Sequence, residues 1–194
     1  MFPRGDAPLA PPLPEIALIG RSNVGKSSLL NALVGRRIAR VSVTPGKTRA
    51  LNVYVIPGFG ARGSGLEPLY LLDLPGYGYA RASKVERGAF RRLLAHALDR
   101  DRLAGVIWLL DVRRDPSEDD RAMQDAFAAR GTRVLAAVTK SDKLPRAQRP
   151  RREGELRATL QLLEEQVIVT SARTGEGIDE LREAVAGLIR APAP

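Results

Sequence analysis

Residues 20–28 read GRSNVGKSS, a glycine, four further residues, then glycine, lysine and serine. The chemistry this spacing can do is phosphate binding. An apolar run, EIALIG, precedes it and a helical pattern, LLNALVG, follows. Backbone N–H groups of Gly20, Arg21, Ser22, Asn23, Val24 and Gly25, and those of Lys26, Ser27 and Ser28 at the start of the helix, can therefore converge on an anion. The two glycines allow a close approach that a side chain would block. Lys26 is positioned to pair with β and γ phosphates and the Ser27 hydroxyl to ligate Mg²⁺. Chance would produce this pattern in a chain of this length with a probability of roughly one per cent.

A phosphate loop of this kind needs a second metal contact, and LLDLPG supplies Asp73 at the end of an apolar run, with the Gly76 N–H in reach of a γ-phosphate. Another apolar run ends in TKSDK. The Asp142 carboxylate can accept hydrogen bonds from N1 and the exocyclic N2 of guanine, a donor pair that adenine lacks, while the Lys140 stem covers the purine. Thr139 and Lys143 flank these two. A last run ends in TSARTGEG, where backbone around Ser171, Ala172 and Arg173 can meet the guanine O6. Each of these segments alone is a common turn. Their succession at strand ends, the edge where open sheets bind ligands, makes GTP or GDP the expected nucleotide.

The elements that must position these residues alternate between Val, Ile and Leu-rich runs and longer stretches of helical period. Strands are predicted at EIALIG, ALNVYVI, PLYLLDL, AGVIWLLDV, TRVLAAVTK and EQVIVTS, and helices beginning near Lys26, Ser83, Pro116, Pro145 and Glu176. Only PGFGARGSGLE separates the second and third strands. That is too short for a helical crossover, so those two form an antiparallel hairpin. The expectation is an α/β fold, a six-stranded mixed but mostly parallel sheet with helices on both faces. Residues 15–190 form its body, with mobile ends at 1–14, rich in proline, and at 191–194.

The chain of 194 residues is long enough for one medium domain with a substantial core. It has no cysteine, which excludes disulfides and thiolate metal sites and suits a reducing, cytoplasmic compartment. No apolar run approaches the roughly 20 residues needed to cross a bilayer. Lys plus Arg exceed Asp plus Glu by 31 minus 22, or +9, which suits a polyanionic partner. Lys143, Arg146, Arg149, Arg151 and Arg152 in KLPRAQRPRR, and Arg36, Arg37, Arg40, Lys47 and Arg49, are candidate RNA contacts, against the plainer reading of solvated faces. Trp108 reads as core and His96 as a surface residue. Tyr77 and Tyr79 can pack locally or stack on RNA bases.

Taken in order, GRSNVGKSSLLNAL, TPGKTR, DLPGYGYA, TKSDKL and SARTGEGI resemble the EngB (YihA) family of translation-factor-type small GTPases over nearly the whole body. The resemblance implies a P-loop GTPase domain, acting as a monomer on the large ribosomal subunit precursor and its rRNA, without membrane attachment. It makes Thr48 the switch I threonine that reaches Mg²⁺, beside Lys26 and Gly76 in catalysis. Its rivals are an RNA-binding assembly factor with GTP as a structural ligand, and a detached GTPase domain of a transporter or tRNA-modifying enzyme. Two positions depart from the general GTPase pattern. Thr139 stands where most have asparagine, which argues against unusually tight binding, and Tyr77 stands where many carry a water-orienting glutamine, so unaided hydrolysis is expected to be slow. Asn23 matches the position that helps ligate K⁺ in TrmE-type GTPases: either K⁺ held there and by carbonyls near Val43 to Lys47 supplies the missing charge, or Asn23 only hydrogen-bonds within its own tight turn.

Overall fold

The computed structural model describes residues 9–39, 51–58, 68–78 and 83–191. Strands are β1 (Glu15–Gly20), β2 (Asn52–Ile56), β3 (Leu69–Asp73), β4 (Leu103–Asp111), β5 (Val134–Thr139) and β6 (Val167–Val169). Helices are α1 (Lys26–Val34), α2 (Lys84–Leu98), α3 (Glu118–Ala128), α4 (Arg149–Leu160) and α5 (Ile178–Arg190). The sheet order is β2-β3-β1-β4-β5-β6. β2 runs antiparallel to β3, and every other pairing is parallel. The expected mixed sheet and its hairpin are therefore present.

Continuous apolar strands reflect burial on both faces, and the period of two sorts their side chains into two cores. Ala17, Ile19, Leu72, Trp108 and Val138 face one side and meet Leu94 and Leu98 of α2, Phe127 of α3 and Leu160 of α4. Ile16, Leu18, Leu71, Ile107 and Leu109 face the other and meet Leu29 and Leu33 of α1 and Leu181 and Val185 of α5. The strand order reverses at β1, flanked by β3 and β4, so the loop leaving β1 lies at the crevice where such sheets receive ligands.

Three helix starts fall a few residues beyond the prolines and glutamate that suggested them. α3 starts at Glu118 because Ser117 and Asp120 close a capping box after Pro116. Arg146–Gln148 after Pro145 form a short 3₁₀ turn before α4. Gly177, at φ 68°, caps α5, which leaves Glu176 outside the helix. Residues 9–14, expected to belong to a mobile end, are held to the body. Tyr70 Oη donates to Pro11 O at 3.1 Å, Arg102 Nη1 to Pro12 O at 3.2 Å, and Leu9 and Leu13 pack on the core. No helix among the described residues is long and apolar enough to cross a membrane.

Candidate nucleotide site

The chain leaves β1 pressed against β4, since a Cβ on Gly20 would lie 2.9 Å from both Leu109 Cβ and Val24 Cγ1. It then turns through two left-handed residues, Asn23 at φ 63° and Gly25 at φ 108°. Gly25 is the N-cap of α1 and no side chain caps that helix. A loop of this shape aims the first N–H groups of α1, from Lys26, Ser27 and Ser28, toward an incoming anion.

Lys26 and Asp73 meet as an ion pair, the Nζ donating to Oδ1, with the two residues 9% and 2% exposed. That pairing joins the P-loop to the end of β3. Beyond Asp73 the chain stays on the loop: Ser22 Oγ donates to Gly76 O at 3.2 Å, and Ser22 N to Tyr77 O at 2.9 Å. A Cβ on Gly76 would lie 2.8 Å from Ser22 Cα and N, so only glycine fits this approach.

The end of β5 secures the same loop from the other side. Thr139 Oγ1 donates to Val24 O at 2.7 Å and shares its proton with Leu110 O at 3.1 Å. Lys140, at φ 64°, reaches back so that its Nζ donates to Asn23 O at 2.6 Å and to Asp111 Oδ2 at 2.9 Å. Burial pushes the Asp111 carboxyl up, but hydrogen bonds from Arg113 and Lys140 outweigh this and hold it well below the usual carboxylate range. Sequence reasoning overlooked Asp111; its position at the C-terminal end of β4, beside the other motif strands, was the available signal.

Asp142 sits in the 3₁₀ turn Ser141–Lys143 after β5. Its Oδ1 accepts from Ser171 Oγ at 2.8 Å, a bond that lowers the carboxyl's pKa. Its Oδ2 is buried without a hydrogen-bond partner, the nearest cations being Arg173 at 3.6 Å and Lys143 at 3.8 Å. A buried, ionised acceptor left open in this way is suited to a ligand that brings N–H donors. Ser171 is itself fixed, its Oγ accepting from the N–H groups of Arg173 and Thr174 at 3.3 Å each, which leaves Ala172 exposed at the bend. Glu176 braces the two turns by accepting from Ser141 Oγ at 2.5 Å and Arg149 Nη1 at 2.7 Å.

Gly20 through Ser28, Asp73, Gly76, Thr139 through Lys143 and Ser171 through Arg173 thus gather at the C-terminal edge of the parallel strands. Thr48 and the rest of TPGKTR, Val43, Arg40 and Tyr79 lie outside the described residues. Trp108 is fully buried, as its setting predicted, and His96 is exposed. Tyr77 takes the packing alternative, buried against Phe90 with ring centroids 6.0 Å apart. Hydrogen bonds from Tyr77 Oη to Asp120 Oδ1 at 2.7 Å and from Trp108 Nε1 to Tyr77 Oη at 2.8 Å hold it there.

A phosphate loop after the central strand of a six-stranded mixed sheet, with an acidic β3 end and a TKSDK turn after β5, defines a P-loop GTPase domain. Residues 15–140 match the family described as 50S ribosome-binding GTPase. The chain is 47% identical over 182 residues to the probable GTP-binding protein EngB of Gemmatimonas aurantiaca, covering 93% of this chain and 85% of that one. It belongs to the EngB family of GTP-binding proteins and is a GTPase. Among solved structures, a probable EngB GTP-binding protein superposes with a TM-score of 0.69 at 19% identity, covering 91% of this chain and 98% of that one. Era in complex with MgGDPNP and a segment of 16S ribosomal RNA superposes with a TM-score of 0.75 at 23% identity, covering 93% of this chain but 58% of the Era chain.

Proposed function

We propose that this protein binds GTP with Mg²⁺, hydrolyses it slowly, and acts as a monomeric, cytoplasmic switch on the precursor of the large ribosomal subunit through its rRNA. The observation that carries the guanine assignment is the open, buried Oδ2 of Asp142. Guanine N1–H and N2–H would occupy it, with the Lys140 stem beneath the ring and the Ala172 and Arg173 backbone at O6.

The phosphates would lie on the loop from Gly20 to Ser28, taking Lys26 from Asp73. The donor set fits Mg²⁺, since the Ser27 hydroxyl and the buried Asp73 carboxylate are hard oxygen ligands, with Thr48 as the expected third. When bound, the ion neutralises charge on the β and γ oxygens. In hydrolysis a water attacks the γ-phosphorus as the bond to the β–γ bridging oxygen breaks, yielding GDP and phosphate. The Lys26 ammonium and the Gly76 N–H oppose the charge that builds on those oxygens. Tyr77 takes no part in orienting that water, because its hydroxyl is turned into the core toward Asp120. Slow unaided turnover follows, and K⁺ at Asn23 is the proposed supplement.

Support for a polyanionic partner comes from α2 more than from the Lys143–Arg152 run. In that run Arg149 pairs with Glu176, Arg151 with Glu155, and Arg152 with Asp115 and Glu155. On α2, Lys84, Arg87 and Arg91 share one face by their i, i+3, i+7 spacing, all are exposed, and no ion pair engages them among the described residues. This stripe starts a few residues beyond Gly76, so nucleotide state can reach it.

The test is Asp142→Asn, whose amide presents donors to donors. GTP affinity should fall by about 10-fold or more while xanthosine triphosphate, which carries an acceptor at position 2, gains. Equal GTP affinity in mutant and parent would remove Asp142 from the site.

A further inference from the structure

The loop between β3 and α2 carries a tyrosine whose hydroxyl is turned into the core, where it both donates and accepts a hydrogen bond. Tyr77 is 6% exposed and Asp120, its acceptor, 2%. Asp120 is committed on every side. Oδ1 accepts from Tyr77 Oη at 2.7 Å, while Oδ2 accepts from Ser117 N at 2.8 Å and Ser117 Oγ at 2.7 Å and stands 3.5 Å from Arg21 Nη1. Trp108 Nε1, on a fully buried side chain, donates to the same tyrosine hydroxyl at 2.8 Å. Two elements of the fold therefore converge on one phenol, α3 through Asp120 and β4 through Trp108, and Arg21 of the P-loop approaches the other oxygen of the same carboxylate.

Withdrawing Tyr77 would leave the buried indole N–H and one oxygen of the buried Asp120 carboxylate without this partner, and each buried group left unpaired is costly. The hydroxyl therefore stays seated when the neighbouring chain rearranges. The left-handed Gly78, at φ 69°, is the next position at which the backbone can turn freely. On the other side of Tyr77, its N–H donates to Gly20 O at 3.3 Å and its carbonyl accepts from Ser22 N at 2.9 Å. Pinning the side chain thus anchors the Gly76–Tyr77 peptide, whose carbonyl accepts from Ser22 Oγ and whose N–H donates to Gly20 O, next to the Gly76 N–H.

We propose that Asp120 and Tyr77 are positioning residues for the γ-phosphate: α3 holds the tyrosine hydroxyl, and the tyrosine holds the Gly76 N–H where a third phosphate would meet it. This rests on the reading of Gly76 as the γ-phosphate donor. Neither residue touches nucleotide. Their effect is selective, because a displaced Gly76 N–H is lost to GTP but not to GDP, which has nothing at that position.

Tyr77→Phe is the deciding variant, since it removes the hydroxyl and keeps the ring packed on Phe90. Affinities for GDP and for a non-hydrolysable GTP analogue are measured by titration calorimetry, with thermal melting followed in parallel. The expected result is a loss of about 10-fold for the GTP analogue, the worth of one hydrogen bond to a charged oxygen, with GDP affinity within about twofold of the parent. Asp120→Ala should reproduce that selective loss. Asp120→Asn, which keeps an acceptor for the phenol but turns its amide N–H₂ toward the Ser117 N–H, should recover most of the GTP selectivity while lowering the melting temperature through the broken cap. An ester in place of the Pro75–Gly76 amide, introduced by semisynthesis, removes the Gly76 N–H without adding a Cβ against Ser22, and so separates the γ-phosphate donor from the residues that position it. If that ester leaves the GTP-to-GDP preference unchanged, the γ-phosphate reading fails. If it abolishes the preference while Tyr77→Phe leaves it intact, or weakens both nucleotides equally with only a lowered melting temperature, the positioning role alone is overturned.

Discussion

Replacing Thr139 by valine would test how the P-loop is held, because valine keeps the shape and removes only the hydroxyl. Thr139 is buried, and its one proton serves Val24 O at 2.7 Å and Leu110 O at 3.1 Å. Leu110 lies within the β4–β5 ladder and has backbone partners nearby, whereas Val24 belongs to the turn of the P-loop. The loss of one net hydrogen bond is worth about 1 kcal/mol, and a buried carbonyl left open adds about 1 kcal/mol or more. The apolar methyl returns part of this, so a destabilisation of about 1.5 kcal/mol is expected, roughly 3–6 °C in melting temperature for a domain of this size. The tether also sets the loop's shape for the phosphates common to GDP and GTP, so both affinities should fall together, by about 5-fold. Urea denaturation gives the first quantity and calorimetric titration of both nucleotides the second. Unchanged stability together with unchanged affinity would refute the idea that this hydroxyl ties the loop to β5. A loss confined to GTP would show that it acts at the γ-phosphate instead.

Charge reversal of the α2 stripe, Lys84→Glu with Arg87→Glu and Arg91→Glu, should weaken binding to large-subunit precursors in sedimentation. It should also flatten the dependence of log affinity on log salt by about one unit for each phosphate no longer engaged. An unchanged salt slope would place the RNA-binding surface elsewhere. Asp111 predicts an acid limb in stability. A carboxyl whose folded pKa lies below its ordinary value of 3.8 stabilises the fold above that value and loses the contribution as pH falls through the lower folded pKa. Denaturation midpoints between about pH 4 and pH 2 should therefore drop less steeply for Asp111→Asn than for the parent, and parallel curves would contradict the pairing with Arg113 and Lys140. Hydrolysis rates in equimolar KCl and NaCl, for the parent and Asn23→Ala, test the ion proposal. A K⁺ enhancement absent from the variant is expected, and identical rates in all four conditions would dismiss it.

Much of this site is legible in the amino-acid sequence, for a physical reason. A phosphate loop is a local object: glycines at two spacings, a lysine and a serine specify a turn and a helix N-terminus within nine residues, and neighbouring backbone N–H groups do the binding. The strands are legible because burial on both faces demands continuous apolar runs, and the short β2–β3 connection permits only a hairpin. The proposed guanine choice is read from Asp142 because one carboxylate can accept from one pair of donors.

Tertiary structure decides what depends on residues far apart in the chain. Thr139 reads as a shortened asparagine, and only the approach of β5 to the P-loop shows its hydroxyl on Val24 O. The Lys143–Arg152 run reads as the basic surface, yet Glu176, Glu155 and Asp115 neutralise most of it, one of them from beyond β6 and another from before α3. Residues 9–14 read as a free tail, since proline-rich composition cannot reveal that Tyr70 and Arg102 offer donors to its carbonyls. Tyr77 is the clearest case. Its residue type rules out the water-orienting role of a glutamine. What it does instead is set when β4 and α3, 31 and 43 positions along the chain, bring an indole N–H and a carboxylate to the same phenol.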